Sequence, residues 1–370
     1  MRTDVPSNAN AACVGTQSNE AGKASSCQGC PNQSVCASGE ARAAAQKLGL
    51  EVEASVGQIK HKLLVLSGKG GVGKSTFSAQ MAFELARRGH RVGLLDIDIC
   101  GPSIPHMLGL RGYEVHNSGS GWSPVYVNGD GDIDDDMEGG GEDSGGSVAV
   151  VSVGFMLPDQ DSALVWRGPR KTALIKQFLT DVDWGELDYL VIDTPPGTSD
   201  EHISIVQYLK GSLKPGRDGA VVVTTPQEVA MADVRKELNF CKKTHLDVLG
   251  IVENMSGLVL PLKEQPQEGG QRKLRLVDEN GADVTDAMMA AIATKCPELL
   301  KCSFATDVFV RNKEGPEGMA EAYGCAYLGK LPLDTEYLKA GEQGKPVPSD
   351  TNSSNALKRV VDAMLTQITA

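Results

Sequence analysis

The sequence predicts an α/β protein built on a doubly wound, mostly parallel sheet. Three observations predict it. From Lys62 onward, short apolar runs alternate with longer stretches of helical character, the pattern that returns each strand through a covering helix. A glycine-rich segment, Gly68-Lys69-Gly70-Gly71-Val72-Gly73-Lys74-Ser75-Thr76, lies between one such strand and the helix after it. Two further strand-like runs end in aspartate, which brings carboxylates to the same edge of the sheet.

Taken in order, residues 1–40 are small and polar without apolar periodicity, so they form a cysteine-rich tail with no core of its own. A linker at 41–61 includes a short helix at about Gly39–Leu48. Residues 62–370 form one α/β domain with insertions at about 113–147 and 262–294. Its strands are expected at Leu63–Ser67, Val92–Asp96, Val148–Val153, Tyr189–Asp193, Ala220–Thr224, Val248–Glu253 and Tyr327–Leu331. Helices are expected at Ser75–Arg88, Arg170–Val182, Glu201–Leu209, Ala230–Lys243, Ala287–Ala293, Gly315–Ala322 and Ser354–Gln367.

Composition narrows the classes. The 370 residues are 41% hydrophobic, ample for a buried core, and the net charge of −12 argues against a broad nucleic-acid footprint. Eight acidic residues and no basic one fall in 129–147, which reads as a solvated, mobile insertion. Asp130, Asp132, Asp134 and Asp136 hint at a calcium loop, but Asp135 holds the place of the needed Gly and Gly141 that of the bidentate Glu. No apolar run approaches the ~18 residues of a membrane span. The N-terminus has no signal-peptide core, and Asp4 with few arginines argues against a mitochondrial presequence. A cytoplasmic location is the default. There, nine cysteines serve as ligands or core residues rather than disulfides.

The glycine-rich segment carries the clearest chemistry. Its glycines let backbone N–H groups converge on phosphate oxygens at a helix N-terminus. Lys74 should neutralise the β- and γ-phosphates of ATP, and the Ser75 hydroxyl should ligate Mg²⁺. Asp96 and Asp98 alternate at a strand end and so lie on one side of the chain. Asp98 suits orientation of the attacking water and Asp96 the outer Mg²⁺ shell, unless both are merely solvated acids. Leu190-Val191-Ile192-Asp193 has the Walker B form, so Asp193 should hold Mg²⁺ through water. Thr194–Asp200 suits a loop that senses the γ-phosphate. Asn254 either pairs with the adenine edge or is an ordinary turn asparagine.

The extra Lys69 gives the form GKGGxGK[ST], which resembles the MinD/ParA/nitrogenase-iron-protein class of P-loop NTPases. That resemblance implies that Lys69 reaches the nucleotide of a partner subunit. Cys100–Pro105, Trp166–Lys171, Asp193–His202 and Glu253–Gly257 together resemble the Mrp/nucleotide-binding-protein family, over about Lys62–Leu110, Val148–Val259 and Gly315–Asp334. The resemblance implies a slow Mg-dependent ATPase that assembles iron–sulfur clusters and transfers them to cytosolic and nuclear apoproteins. It further implies a homodimer or a hetero-oligomer with a paralogous ATPase, with no nucleic-acid or membrane partner.

Cys13, Cys27, Cys30 and Cys36 have the spacing C-x13-C-x2-C-x5-C among small polar residues, which excludes core packing. Four thiolates suit zinc or an iron–sulfur cluster equally. Resemblance to the cytosolic scaffold branch of the family points to [4Fe–4S]. Family members carry a C-P-x-C pair after the Glu253–Gly257 motif, whereas this chain reads Leu260-Pro261-Leu262-Lys263. Cys296 and Cys302 either replace that pair after an insertion or, if helical, point apart around the axis. Cys100, Cys241 and Cys325 read as packing residues. Two rival functions remain: a positioning ATPase of the MinD/ParA kind, and a zinc-binding adaptor with a vestigial site.

Overall fold

The computed structural model describes residues 8–16, 18–119, 121–128, 146–156, 166, 168–262, 274–309, 314–349 and 351–368. Twelve strands occur among these: β1 (His61–Leu66), β2 (Val92–Asp96), β3 (His116–Ser118), β4 (Gly121–Ser123), β5 (Val125–Asn128) and β6 (Ser147–Ser152). They continue as β7 (Tyr189–Asp193), β8 (Gly219–Thr224), β9 (Val248–Glu253), β10 (Leu258–Pro261), β11 (Ser303–Thr306) and β12 (Tyr327–Lys330). The helices are α1 (Gln33–Ser38), α2 (Glu40–Val56), α3 (Lys74–Arg87), α4 (Ile104–Met107), α5 (Gly168–Thr180) and α6 (Asp200–Leu209). After them come α7 (Glu228–Thr244), α8 (Thr285–Lys295), α9 (Gly315–Tyr323), α10 (Thr335–Gln343) and α11 (Asn352–Gln367).

Eight strands form the central sheet in the order β12-β9-β8-β1-β7-β2-β6-β5. Seven are mutually parallel, and β5 closes one edge antiparallel to β6. Alternation along each strand divides the core between two faces. Leu63 and Val65 of β1 join one apolar cluster with α3, α10 and α11, while Leu64 and Leu66 join the other with α2, α5, α6 and α7. Such burial on both faces explains why these strands read as nearly unbroken apolar runs.

The departures from expectation lie around this sheet. Helix α2 runs on to Val56 rather than Leu48, because Val52 and Val56 are fully buried against the β1 face. Its packing partners are α5 and α6. The first insertion supplies the β3–β4 hairpin and β5, and the acidic run and its calcium-like spacing fall mostly in 129–145, outside the described residues. Beyond the second insertion, β11 returns antiparallel to β10 with Leu260 opposite Phe304. Parallel packing directs the carboxyl ends of β1, β2, β7 and β9 to one edge, where a doubly wound sheet binds its ligand.

Candidate functional site

The glycine-rich loop leaves β1 and enters α3 at Lys74. Gly71 and Gly73 have φ of 80° and 82°, the left-handed region where a side chain is strained. A Cβ on Gly68 would also meet the Val234 backbone nitrogen of α7 at 2.5 Å. The loop borders a cavity of about 320 Å³, lined by Ser67, Lys69–Thr76, Asp98, Ser103, Met107, Pro196 and Met255.

Three predicted residues meet at its floor. The Lys74 Nζ lies 2.7 Å from Asp193 Oδ2 and donates to Ser75 Oγ at 2.9 Å. Ser75 Oγ donates to the same Asp193 oxygen at 2.6 Å, and Ser78 Oγ, one turn further along α3, donates to the other at 2.6 Å. Asp193 is fully buried, so these donors stabilise a charge that water does not reach. Ser78 was not foreseen, although its place one turn after Lys74 was a usable signal.

The two carboxylates at the end of β2 are placed differently with respect to the cavity. Asp98 lines the cavity and is partly buried, which raises its pKa. Asp96 lies behind it, fully buried, accepting the Asp98 N–H at 3.0 Å and the Ser152 hydroxyl at 2.9 Å. Burial, then the neighbouring Asp193 charge, pushes Asp96 up to about 8. Asp96 thus braces the backbone of Asp98 and is not itself presented to the cavity.

Asn254 is bonded to the phosphate loop itself. Its side-chain amide donates to the Val72 carbonyl at 2.9 Å, close against Gly73. Lys69 is exposed at the cavity rim. Thr194–Asp200 is tied to the same edge: Thr194 Oγ1 donates to the Val65 carbonyl at 2.8 Å, and the Gly197 N–H to that of Ser67 at 2.7 Å. His202 is buried behind this loop, where burial first of all holds its imidazole down at about 4.

Cys13, Cys27, Cys30 and Cys36 come together. All four line one small cavity with Gly22, Asn32 and Gln33. The turns that bring them in are closed by Asn10, whose amide donates to the carbonyls of Ser26 at 2.9 Å and Gln28 at 3.2 Å. Burial raises the Cys36 pKa, and the other three sulfurs raise it further. Four thiols around one cavity are a donor set that fits a thiolate-ligated metal centre, whose positive charge would offset the repulsion at Cys36. No three His, Cys, Asp or Glu side chains among the described residues form a ready single-ion site.

Cys296 and Cys302 are exposed at the two ends of a 3₁₀ turn, Pro297–Lys301, rather than on a continuous α-helix. The Cys302 carbonyl accepts the Leu262 N–H at 3.0 Å, so the β10–β11 pairing sets Cys302 beside the Leu260–Leu262 stretch. Lys263 and Arg167 lie outside the described residues. Cys241 is buried as expected for packing, whereas Cys100 is exposed and is not a packing residue.

Fold and site together define a P-loop NTPase. The family model described as the NUBPL iron-transfer P-loop NTPase matches residues 58–134 and 141–284, and the chain belongs to that family. Among solved structures, the ADP complex of an Archaeoglobus fulgidus nucleotide-binding protein containing cobalt is 30% identical, with a TM-score of 0.55. That match covers 82% of this chain and 94% of the archaeal one. The Pyrococcus furiosus cell division ATPase MinD is 18% identical over 83% of this chain and 99% of its own, with a TM-score of 0.48.

Proposed function

We propose that this chain is an ATP-dependent scaffold that assembles iron–sulfur clusters and passes them to cytosolic and nuclear apoproteins. The observation that carries the reading is the presence, on one chain, of the Lys74–Ser75–Asp193 triangle and a four-thiol cavity. The ammonium of Lys74 neutralises phosphate charge, releasing Asp193 from its ion pair. Ser75 and Asp193 would hold Mg²⁺, which would supply further charge neutralisation on the phosphates. Asp98, fixed by Asp96, orients the attacking water, and Lys69 at the rim is free to reach the nucleotide of a second subunit, either another copy or a paralogue. The donor set of Cys13, Cys27, Cys30 and Cys36 holds a [4Fe–4S] cluster. Cys296 and Cys302 are the candidate second ligand pair, a reading supported for Cys302 by the bond that returns it to Leu262, beside the stretch where the family pair is missing.

A positioning ATPase has no use for four thiols around one cavity, which disfavours that rival. A transfer assay tests the proposal. Cluster-loaded protein is mixed with a purified cluster-free [4Fe–4S] protein, with and without Mg·ATP. Recipient absorbance should rise, and its rate should depend on nucleotide in wild type but not in Lys74→Ala. Transfer that is absent, or indifferent to nucleotide in wild type, overturns the coupling.

A further inference from the structure

We propose that Lys171 is a positioning residue for ATP hydrolysis, clamping the loop that carries Asp98 to the helix that follows the Thr194–Asp200 loop. The inference rests on the ATPase reading above. Lys171 stands in the first turn of α5, and its Nζ donates to Cys100 Sγ at 2.9 Å and to Glu201 Oε1 at 2.8 Å. Its side chain is only 18% exposed and that of Glu201 8%, so this is not a solvated surface pair.

The two acceptors belong to two different active-site segments. Cys100 rides on the turn that the Gly101 N–H closes onto the Asp98 carbonyl at 3.2 Å. Glu201 stands in the first turn of α6, whose N-cap Ser199 donates its backbone N–H to His202 Nδ1 at 3.2 Å. Burial works against the Glu201 charge, yet bonds from Lys171, Ser199 and its own backbone N–H hold its carboxyl below the ordinary value. A second cross-link, Thr172 Oγ1 to Ser204 Oγ at 3.2 Å, fixes α5 to α6 one turn below. One ammonium therefore sets the distance between the water-orienting carboxylate and the γ-phosphate loop.

Reacting groups must be held closely in place, and a misplacement of about 1 Å from a remote change costs about 100-fold in rate. Lys171 touches neither nucleotide nor water, so its loss should act on turnover and not on affinity. In the full-length protein, Lys171→Met should lower kcat about 10- to 100-fold while KM for ATP stays within about twofold. Lys171→Arg, which keeps the charge and the donors, should restore kcat to within about fivefold of wild type. Cys100→Ala alone should also lower kcat, and adding it to Lys171→Met should change little further, because both remove one clamp.

Hydrogen exchange on the same proteins provides a readout that needs no hydrolysis. Segments 98–103 and 196–202 should both exchange faster in Lys171→Met and Cys100→Ala, while β1 and β7 should not. If wild type proves inactive, the ATPase reading fails, and the exchange pattern still decides whether the clamp exists. Should Lys171→Met fail to fold, Cys100→Ala removes only the sulfur and is read in the same way. Unchanged kcat, a raised KM, additive effects or unchanged exchange in both segments would overturn the proposal.

Discussion

A single buried carboxylate ties together the floor of the candidate nucleotide cavity. Asp193 accepts from Lys74, Ser75 and Ser78 at once, and its fully buried position makes each of those bonds strong. Lys74→Ala should therefore weaken Mg·ATP binding at least ~100-fold, as the loop loses its phosphate counter-charge. Asp98→Asn should leave affinity within about twofold and lower turnover by ~100-fold or more. Calorimetric titration with a non-hydrolysable analogue and single-turnover assays separate these effects; full affinity in Lys74→Ala would refute the site. At this scale the placement of the loop, Asp98 and Asp193 around one cavity was legible, because fixed spacing in a strand–loop–helix context carries its own geometry. The work of Asn254 was not, since its partner Val72 lies 182 residues away in sequence. Nor was the role of Asp96, whose partner Ser152 stands on another strand.

Helix α7 shows how an element can support a site it does not enter. Its Asp233–Val234 backbone backs Gly68 of the phosphate loop, and one turn on lies Glu237, 1% exposed. Neither Glu237 carboxyl oxygen has a hydrogen-bond partner among the described residues. Burial, then the charge of Asp233, pushes Glu237 up to about 7 from an ordinary 4.5. The folded state thus holds this proton more tightly than the unfolded state, so stability falls as pH rises from about 4.5 to about 7. The loss is on the order of 3 kcal/mol. Glu237→Met, of similar length and without polar atoms, should gain stability over wild type at pH 8 and much less at pH 5. Urea midpoints at the two pH values check this; an equal difference at both would exclude the titration. Among elements, the seven parallel strands were legible because burial on both faces makes continuous apolar runs. Strand β11 was not, being exposed along its whole length, and Gly49 masked the continuation of α2.

Over the whole molecule, α2 joins the two chemistries. Its 17 residues span about 25 Å, from the cysteine cavity toward the start of β1. The Glu51–Lys176 pair at 3.7 Å sets it alongside α5. Deleting residues 1–38 should remove one cluster's worth of iron and leave ATP affinity within about twofold, since no ligand comes from the sheet. The Cys296→Ser/Cys302→Ser variant should retain that N-terminal iron and lose the remainder, along with affinity between subunits. The most direct measurement is anaerobic reconstitution of the full-length protein with iron and sulfide in the presence of competing zinc, followed by metal and acid-labile sulfide analysis. Roughly four iron and four sulfide per N-terminal site, lost on Cys27→Ser/Cys30→Ser, is the predicted result. Zinc without sulfide in the wild type, or equal iron in both proteins, would contradict it.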